Sequence, residues 1–427
     1  MTTAAISRPT VRRGSCALLT ALALLGGVVG CTPSGTVEDA PKQVIAPEPP
    51  APATAPPSAP ALPALVSFDE AVTRTTHDVF SAAPAPGSEV LSIVIDPLID
   101  GASGYQSHAT ESIQDRVMSI VRKEFPRYAI QRLTPQSLQH QPRVLVGTFT
   151  PVNAQMRPTG QREAYWFCLV MLDLKSGKII ARSVVRVRIA EADATPTATF
   201  SDSPGWLEDP SIQAYVANCQ GSKVGDDINP AYFAGLATAA LISEAEDAYD
   251  QGHYAEALTL YTTARKGAAG DQLRVYNGIY LASFKLGQRE RAAAAFRELV
   301  DYGLRRQRLA VKFLFRPGSV RFATDGPFTA SYDSWLQQIA AAALASQACL
   351  RITGHTSPVG PAAMNDNLSL LRAEYIQSRL EEDKPALKHR TVAAGMGSRE
   401  NIIGTGRDDA SDALDRRVEL RPIDPCT

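Results

Sequence analysis

Apolar and polar positions follow a helical period in some segments of the chain and a strand period in others. SFDEAVTRTTHDVF predicts a helix that begins after an N-cap at Ser67, with Glu70 completing a capping box. HATESIQDRVMSIVRKEF also has helical spacing, whereas VLSIVID and RVLVGTF are apolar runs typical of buried strands. AYWFCLVMLDLKSGKIIARSVVRVRIA predicts a β-hairpin that turns at KSG. These elements predict an α+β domain over residues 66–225, without a catalytic motif.

An internal repeat follows this domain. The segments GHYAEALTLYTTA and GQRERAAAAFREL align with an offset of 35 residues, so that Gly252 matches Gly287 and Tyr261 matches Phe296. Small residues at other matched positions allow two helices to approach, and the aromatic ring fills the groove between them. Four helices are expected, at about 240–251, 254–266, 272–286 and 290–302.

The repeat resembles the tetratricopeptide repeat, although it has one residue more than that period and no proline at its end. The resemblance implies a short all-α unit over residues 238–303. Two repeats are too few for a stable stack, so we expect the unit to pack on a neighbouring domain. Its role stays open between a groove for a protein or peptide and a helical spacer.

The last part of the chain, residues 304–427, combines strand and helix patterns. LAVKFLF, CLRITG, RTVAAGM and RRVELRP are predicted strands, and helices are predicted from Trp335 to Leu344 and from Asn367 to Leu380. The order β-α-β-α-β-β predicts a sandwich of one sheet and one layer of helices. The chain is therefore expected to be a multidomain α+β protein, and its strand-to-helix loops are the places where such folds bind ligands.

Residues 1–30 have the pattern of an export signal. Basic residues precede the apolar run CALLTALALLGGVVG, which is too short to span a bilayer stably. The run ends in VVGC, which resembles the lipobox of bacterial lipoproteins and implies lipidation of Cys31. Because Thr32 rather than an aspartate follows, the resemblance implies the outer membrane; an ordinary secretory signal is the alternative. Residues 31–65 are rich in proline and alanine and predict an extended tether without a core.

Charge and cysteine content narrow the class of protein. A net charge of −1 with 20% charged residues gives no indication of nucleic-acid binding. Beyond the leader, the cysteines are Cys168, Cys219, Cys349 and Cys426, an even number that favours disulfides in an exported chain. Proximity in the sequence favours the pairs Cys168–Cys219 and Cys349–Cys426, with four free thiols as the alternative.

Polar residues near the start of the second C-terminal helix share one face. Asn365, Ser369 and Arg372 are spaced i, i+4 and i+7, beside the core stripe. Arg372 can present a planar fork to a carboxylate, and Asn365 can both donate and accept hydrogen bonds. The pattern predicts a site for a small zwitterionic or anionic ligand. A solvated helix face with an ordinary surface arginine is the alternative.

The motifs GHT (354–356), NDNLSLLRA (365–373), GMG (395–397) and LDRRVEL (414–420) resemble the C-terminal domain of the OmpA family. The resemblance implies non-covalent binding of peptidoglycan, with the diaminopimelate side chain of the stem peptide held in a pocket. The positions that it carries over are Thr356, Ser357, Asn365, Arg372 and the pair Arg416-Arg417. Because Val418 and Leu420 point to the core, alternation along the strand favours Arg417 as the pocket member of that pair.

Ser357 departs from the family pattern, which usually has aspartate at this position. That aspartate is implied to pair with the ligand ammonium, while Arg372 holds the ligand carboxylate. Serine supplies a hydrogen bond but no charge, which predicts binding weaker by roughly tenfold. Three outcomes stay open: weak peptidoglycan binding, a replacement charge from Asp366, Asp408 or Asp409, and a different ligand or a packing partner.

Catalytic chemistry has no support in the sequence. It contains no phosphate loop, nucleophile elbow or zinc motif, so we expect no enzyme, no metal and no cofactor. One expected function is an outer-membrane lipoprotein that tethers the envelope to peptidoglycan and scaffolds periplasmic partners. The alternative is a protein-interaction scaffold or accessory subunit of an envelope secretion or cell-wall synthesis assembly, with its peptidoglycan pocket weakened or lost at Ser357.

Overall fold

The computed structural model describes residues 62, 64–85, 87, 89–139, 141–316, 318–324, 326–407 and 409–426. The predicted signal peptide, the predicted lipidation site Cys31 and nearly all of the predicted tether lie outside the described residues. The described chain falls within one compact unit, Ala61–Thr427. Among its helices, none combines the length and the apolar character that a membrane crossing requires.

The N-terminal half is built on a sheet that has six strands among the described residues, in the order β1-β6-β5-β4-β2-β3. The strands are β1 (Leu65–Val66), β2 (Leu91–Ile95), β3 (Tyr128–Arg132), β4 (Arg143–Val152), β5 (Ala164–Asp173) and β6 (Lys178–Arg188). Its helices are α1 (Phe68–Ala82), α2 (His108–Glu124), α3 (Ala198–Asp202) and α4 (Pro210–Ala217). Ser67 caps α1 as predicted, because its side chain accepts a hydrogen bond from the Glu70 amide.

Both faces of this sheet are covered. On β5, Phe167 and Leu169 join the core that α1 and α2 close, whereas Cys168 and Val170 join a second core on the opposite face. Helices α4 and α5 (Pro230–Asp250) cover that second face. The predicted disulfide Cys168–Cys219 is present and links β5 to the end of α4.

The helical unit consists of α5 followed by α6 (Tyr254–Arg265), α7 (Leu273–Lys285) and α8 (Arg289–Arg305), and each helix packs on the next. Gly278 on α7 lies against the Tyr261 ring so closely that a Cβ atom there would overlap it. Gly252 and Gly287 lie in turns with φ of +81° and +72°, which glycine adopts without strain. Assignment of this unit to the tetratricopeptide class stays a prediction.

The C-terminal sheet has the order β10-β9-β11-β8-β7. Its strands are β7 (Gly205–Trp206), β8 (Leu309–Val311), β9 (Cys349–Gly354), β10 (Thr391–Gly395) and β11 (Val418–Ile423), and its helices are α9 (Tyr332–Ala345) and α10 (Ala362–Asp383). From β8 onward the order of elements is the predicted β-α-β-α-β-β. The predicted disulfide Cys349–Cys426 is present and joins the start of β9 to the segment after β11.

The helical unit packs on the C-terminal domain, as expected for a repeat too short to stand alone. The rings of Phe296 on α8 and Trp335 on α9 stack with centroids 5.0 Å apart. The Trp335 indole also donates a hydrogen bond of 3.0 Å to the Tyr280 hydroxyl. Helices α5–α10 and the inner faces of β8, β9 and β11 thus share one apolar core.

Several elements differ from the sequence predictions. Strand β7 comes from the segment assigned to the first predicted domain, but it pairs with β8 in the C-terminal sheet. Strands β1 and β3 were not predicted. Strand β1 pairs in parallel with β6, far along the chain, and β3 pairs in parallel with β2, the strand before it. Helix α5 begins ten residues earlier than expected, because Asn229 caps it and Pro230 occupies its first turn. Helix α10 likewise begins at Ala362, directly after Pro361.

Candidate functional site

The predicted loop connects β9 to the start of α10 and lies close to the backbone of that helix. Gly354 ends β9 in contact with α10, so a Cβ atom there would overlap the Ser369 carbonyl oxygen. Gly360 has φ of +95° just before the helix, a conformation that favours glycine. These two glycines let the loop turn tightly onto the face of α10 that holds the predicted polar residues.

Thr356 and Ser357 lie in this loop, Asn365 contacts it, and Arg372 is seven residues further along the same face of α10. We call these four residues the loop site. All four are buried. The Asn365 amide donates to the Val359 carbonyl at 3.0 Å and more weakly to the Ser357 carbonyl at 3.4 Å. The Thr356 hydroxyl is buried without a hydrogen-bond partner among the described residues. The alternative of a solvated helix face does not fit this burial.

Arg372 connects α10 to a segment outside the loop. Its Nε donates to the Ser319 carbonyl at 3.1 Å, and its guanidinium lies 4.7 Å from the centroid of the Phe315 ring. Both partners belong to the segment between β8 and α9. A guanidinium over an aromatic face is attracted by the ring quadrupole, and more strongly where water is excluded.

Ser369, the third residue of the predicted face, links structural elements. Its hydroxyl accepts a hydrogen bond from the Gly397 amide at 2.9 Å and donates to the Asp366 carbonyl at 2.8 Å. The Thr356 amide donates to the Gly397 carbonyl at 2.9 Å. Helix α10, the loop after β9 and the loop after β10 are therefore bonded together beneath the loop site.

Two candidates for the missing acid have other partners. The Asp366 carboxylate forms an ion pair of 2.6 Å with Arg399. The Asp409 carboxylate accepts hydrogen bonds from the amide and the hydroxyl of Ser411. The third candidate, Asp408, lies outside the described residues.

Arg417, the fifth predicted position, lies on a different face from the helices. On β11, Val418 and Leu420 enter the core shared with α9 and α10, so Arg417 and Glu419 project from the opposite face of the sheet. The Arg417 Nε and Nη2 donate to Glu419 Oε1 at 2.9 and 2.6 Å, and Nη2 also donates to the Glu400 carbonyl at 3.1 Å. The alternation was predicted correctly, but this face of the sheet is turned towards the N-terminal half.

Glu419 is the centre of a buried charge network, which we call the arginine network. Its carboxylate is 1% exposed and accepts hydrogen bonds from Arg417, Arg308 and Arg421 at 2.6–3.3 Å. Burial alone would raise the pKa of Glu419, but the positive charge of Arg417 and the hydrogen bond from Arg308 outweigh it and lower the pKa well below the usual range. Glu419 is therefore ionised at neutral pH.

His355 lies beside this network and is 1% exposed. Burial, and then the charge of Arg417, lower its pKa to about 3, so the imidazole is neutral at neutral pH. Its Nε2 is 3.7 Å from Glu419 Oε1, too far for a hydrogen bond. Ligand atoms of His355, Glu400 and Glu419 lie within 4.8 Å of one another, a spacing that suits a metal ion. The three guanidinium groups on Glu419 oppose a cation at this place.

The sequence reading missed the arginine network. Part of the network is visible in the sequence, because Arg417, Glu419 and Arg421 alternate along RRVELR and so share one face of an extended segment. Arg308 is 111 residues from Glu419 in the chain, and no local pattern connects the two.

Residues 314–413 match the OmpA family, a range that includes the four residues of the loop site and ends before Arg417. The chain is similar to the peptidoglycan-associated lipoprotein of Burkholderia pseudomallei, with 27% identity over 26% of this chain and 87% of that chain and a TM-score of 0.22. It is also similar to an outer membrane protein of Borrelia burgdorferi, with 24% identity over 27% of this chain and 88% of that chain and a TM-score of 0.22. The type VI secretion cell wall anchor of Pseudomonas aeruginosa has 22% identity over 27% of this chain and 80% of that chain, with a TM-score of 0.23. No curated protein matches the chain.

Proposed function

We propose that this chain binds peptidoglycan non-covalently through its loop site and thereby links the cell envelope to the wall. One observation carries the proposal: Asn365 and Arg372, on one face of α10, are both buried and both donate to backbone carbonyls of the surrounding loops. The match of residues 314–413 to the OmpA family supports the same reading.

The expected ligand is the diaminopimelate side chain of the stem peptide, which carries an ammonium and a carboxylate. Arg372 would hold the carboxylate, which replaces the Ser319 carbonyl as the acceptor of its Nε–H. Asn365 and Ser357 would contact the ammonium end through neutral hydrogen bonds. Because no carboxylate stands at position 357, the affinity is expected to be modest.

Co-sedimentation of the purified full chain with peptidoglycan sacculi tests this function. Wild type is expected in the pellet, and Arg372→Ala is expected to lose binding by about tenfold or more, because it removes a charged donor from a buried site. Arg379→Ala is the matched control, since Arg379 also lies on α10 but pairs with Asp333 at 2.6 Å. Equal sedimentation of wild type and Arg372→Ala would refute the role of the loop site.

Ser357→Asp provides the complementary test. An added carboxylate near the ligand ammonium is expected to strengthen binding to sacculi by roughly tenfold. Ser357→Asn, which adds similar volume without charge, is the control. A gain with both variants would show that volume rather than charge is responsible.

The proposed address is the outer membrane, with a lipid on Cys31. The sequence VVGC supports this proposal. Cells that express wild type are expected to incorporate labelled palmitate into the chain, and cells that express Cys31→Ser are not. Label in both variants would place the lipid elsewhere.

Scaffolding of a periplasmic protein is the second candidate function. The neutral Ser357 favours it, because peptidoglycan binding is expected to be weaker than with aspartate at this position. Arg372→Ala separates the two functions. A scaffold would retain the same co-purified partner in this variant, whereas a partner recruited through the wall would be lost with sacculus binding.

A further inference from the structure

A cleft of about 1030 Å³ lies between the N-terminal half and the outer face of the C-terminal sheet, and we call it the arginine cleft. Residues 101–102 and 158–162 line its N-terminal side. Arg421 on β11 and Arg417, directly before that strand, line the other. This volume is at the upper end of the range for small-molecule sites. None of the four residues of the loop site lines the cleft.

The cleft exists because the N-terminal half covers the sheet only in part. Ala310 on β8 packs in an apolar cluster with Tyr105, Phe200 and Trp206. The Lys312 ammonium, next to this cluster, donates to the Phe200 carbonyl at 2.9 Å. Beyond this contact, the polar side of β11 faces the open space.

The lining has an excess of positive charge. Among the residues that the structure describes, the charged side chains that line the cleft are Arg162, Arg308, Arg399, Arg417, Arg421, Glu208 and Glu400. Behind the lining, a single carboxylate, that of Glu419, receives three of these guanidinium groups. Inside the network one carboxylate thus faces three guanidinium groups. Of the other two arginines, Arg399 pairs with Asp366, and Arg162 lies in the field of Asp415.

Arg417 also has unused hydrogen-bonding capacity. It is 1% exposed, and its Nη1 is buried without a hydrogen-bond partner among the described residues. A buried guanidinium nitrogen without an acceptor is costly, because it has lost water and gained nothing in exchange. Arg417 lines the cleft, so an anionic ligand there would add an acceptor beside this guanidinium.

We propose that the arginine cleft binds a small anionic ligand that presents carboxylate or phosphate groups. Guanidinium groups bind both oxyanions in a bidentate manner, and several arginines around one cavity select for ligands with more than one negative charge. Trp206 adds an apolar wall, with its ring 5.5 Å from the Arg308 guanidinium. This site is separate from the loop site and does not depend on peptidoglycan binding.

Calorimetric titration of the full chain at low ionic strength tests the proposal. Citrate and pyrophosphate serve as the carboxylate and phosphate probes. At least one probe is expected to bind, with an affinity that falls as salt is added, because part of the attraction is screened. The stronger probe identifies the chemical class of the ligand.

Arg421→Gln and Arg351→Gln form a matched pair of variants. Arg421 lines the cleft, whereas Arg351 is its registered neighbour on β9, is exposed and lies outside the lining. Arg421→Gln is expected to weaken binding of the probe by about tenfold, and Arg351→Gln by less than about twofold. Arg421 is 42% exposed in its side chain, and Glu419 keeps Arg308 and Arg417 as partners when Arg421 is replaced.

Arg308→Gln is a second variant, at a position outside β11. Its affinity for the probe is also expected to fall by about tenfold. Failure of both anions to bind wild type would overturn the proposal, as would equal affinity in wild type, Arg421→Gln and Arg308→Gln. Binding of Zn²⁺ that disappears in His355→Gln, without binding of either anion, would assign the cleft to a cation instead and would also overturn it.

Discussion

Arg372 and Arg417 are both buried arginines of the C-terminal domain, but their surroundings differ. Arg372 donates to the carbonyl of Ser319 and lies over the Phe315 ring, both in the segment between β8 and α9. Arg417, directly before β11, is bonded to Glu419 on that strand, within a network that Arg308 completes from another segment.

The difference separates two uses of a buried charge. In the arginine network a carboxylate compensates the guanidinium permanently, and regular strands fix the geometry. In the loop site Arg372 donates to a backbone carbonyl and lies over an aromatic ring, both in another segment. Removal of Glu419 would therefore leave buried charge without compensation, whereas loss of the Asn365 side chain removes only neutral hydrogen bonds.

The largest effect is expected for Glu419→Gln. Removing one carboxylate leaves three guanidinium groups close together, and breaking a buried ion pair costs about 3–5 kcal/mol of unfolding free energy. Urea unfolding at neutral pH measures the change. Glu208→Gln is the control, since that side chain is 60% exposed and its loss is expected to cost less than about 0.5 kcal/mol. A loss as small as that of Glu208→Gln would show that the Glu419 carboxylate does not stabilise the arginine network.

A pH effect is expected from His355. Its pKa is lowered from the ordinary value of 6.5 to about 3 in the folded chain. As pH falls below 6.5, the unfolded chain takes up a proton that the folded chain does not, so the free energy of unfolding decreases until pH approaches 3. In His355→Gln this decrease is absent. The difference in unfolding free energy between wild type and variant should therefore change by roughly 2 kcal/mol between pH 6.5 and 4.5.

Comparison of wild type with this variant isolates His355 from carboxyl groups that titrate in the same range. Between pH 7 and 8 the two stability curves should run parallel, which is an internal control. A constant difference down to pH 4.5 would contradict the burial of a neutral imidazole beside Arg417.

A smaller change in stability is expected for Asn365→Ala in the loop site. The substitution removes neutral hydrogen bonds to the Val359 and Ser357 carbonyls, which predicts a loss of about 1 kcal/mol. Asn367→Ala, on an exposed position of the same helix, is the control. A loss as large as that of Glu419→Gln would remove the contrast between the two regions.

The smallest effect is expected for Asp366→Asn, which breaks the pair with Arg399. Both side chains are about half exposed, at 44% and 55%, so the pair contributes less than about 1 kcal/mol, and less still at high salt. Thermal unfolding at two salt concentrations measures it. A larger change that is independent of salt would show that Asp366 acts on the loop site.

Local patterns predicted much of this molecule. The period of apolar residues located most strands and helices, and the spacing of Asn365 and Arg372 identified two side chains that are buried on one face. Contacts between distant segments were not predictable in the same way. Two-residue strands such as β1 and β7 have no period, and the partner that covers the outer side of β11 is set by tertiary packing. For this reason the neighbours of Arg417 in the arginine network could not be predicted from the sequence.

Strand β7 decides where the chain can be divided. Gly205 and Trp206 occupy the edge of the C-terminal sheet, where they pair with Val311 and Ala310. A fragment that starts at residue 304 would expose the backbone of β8 as a free edge, which is the usual starting point for strand addition between molecules. In the full chain β7 occupies this edge, so the N-terminal half supplies the C-terminal sheet with its protection against strand addition.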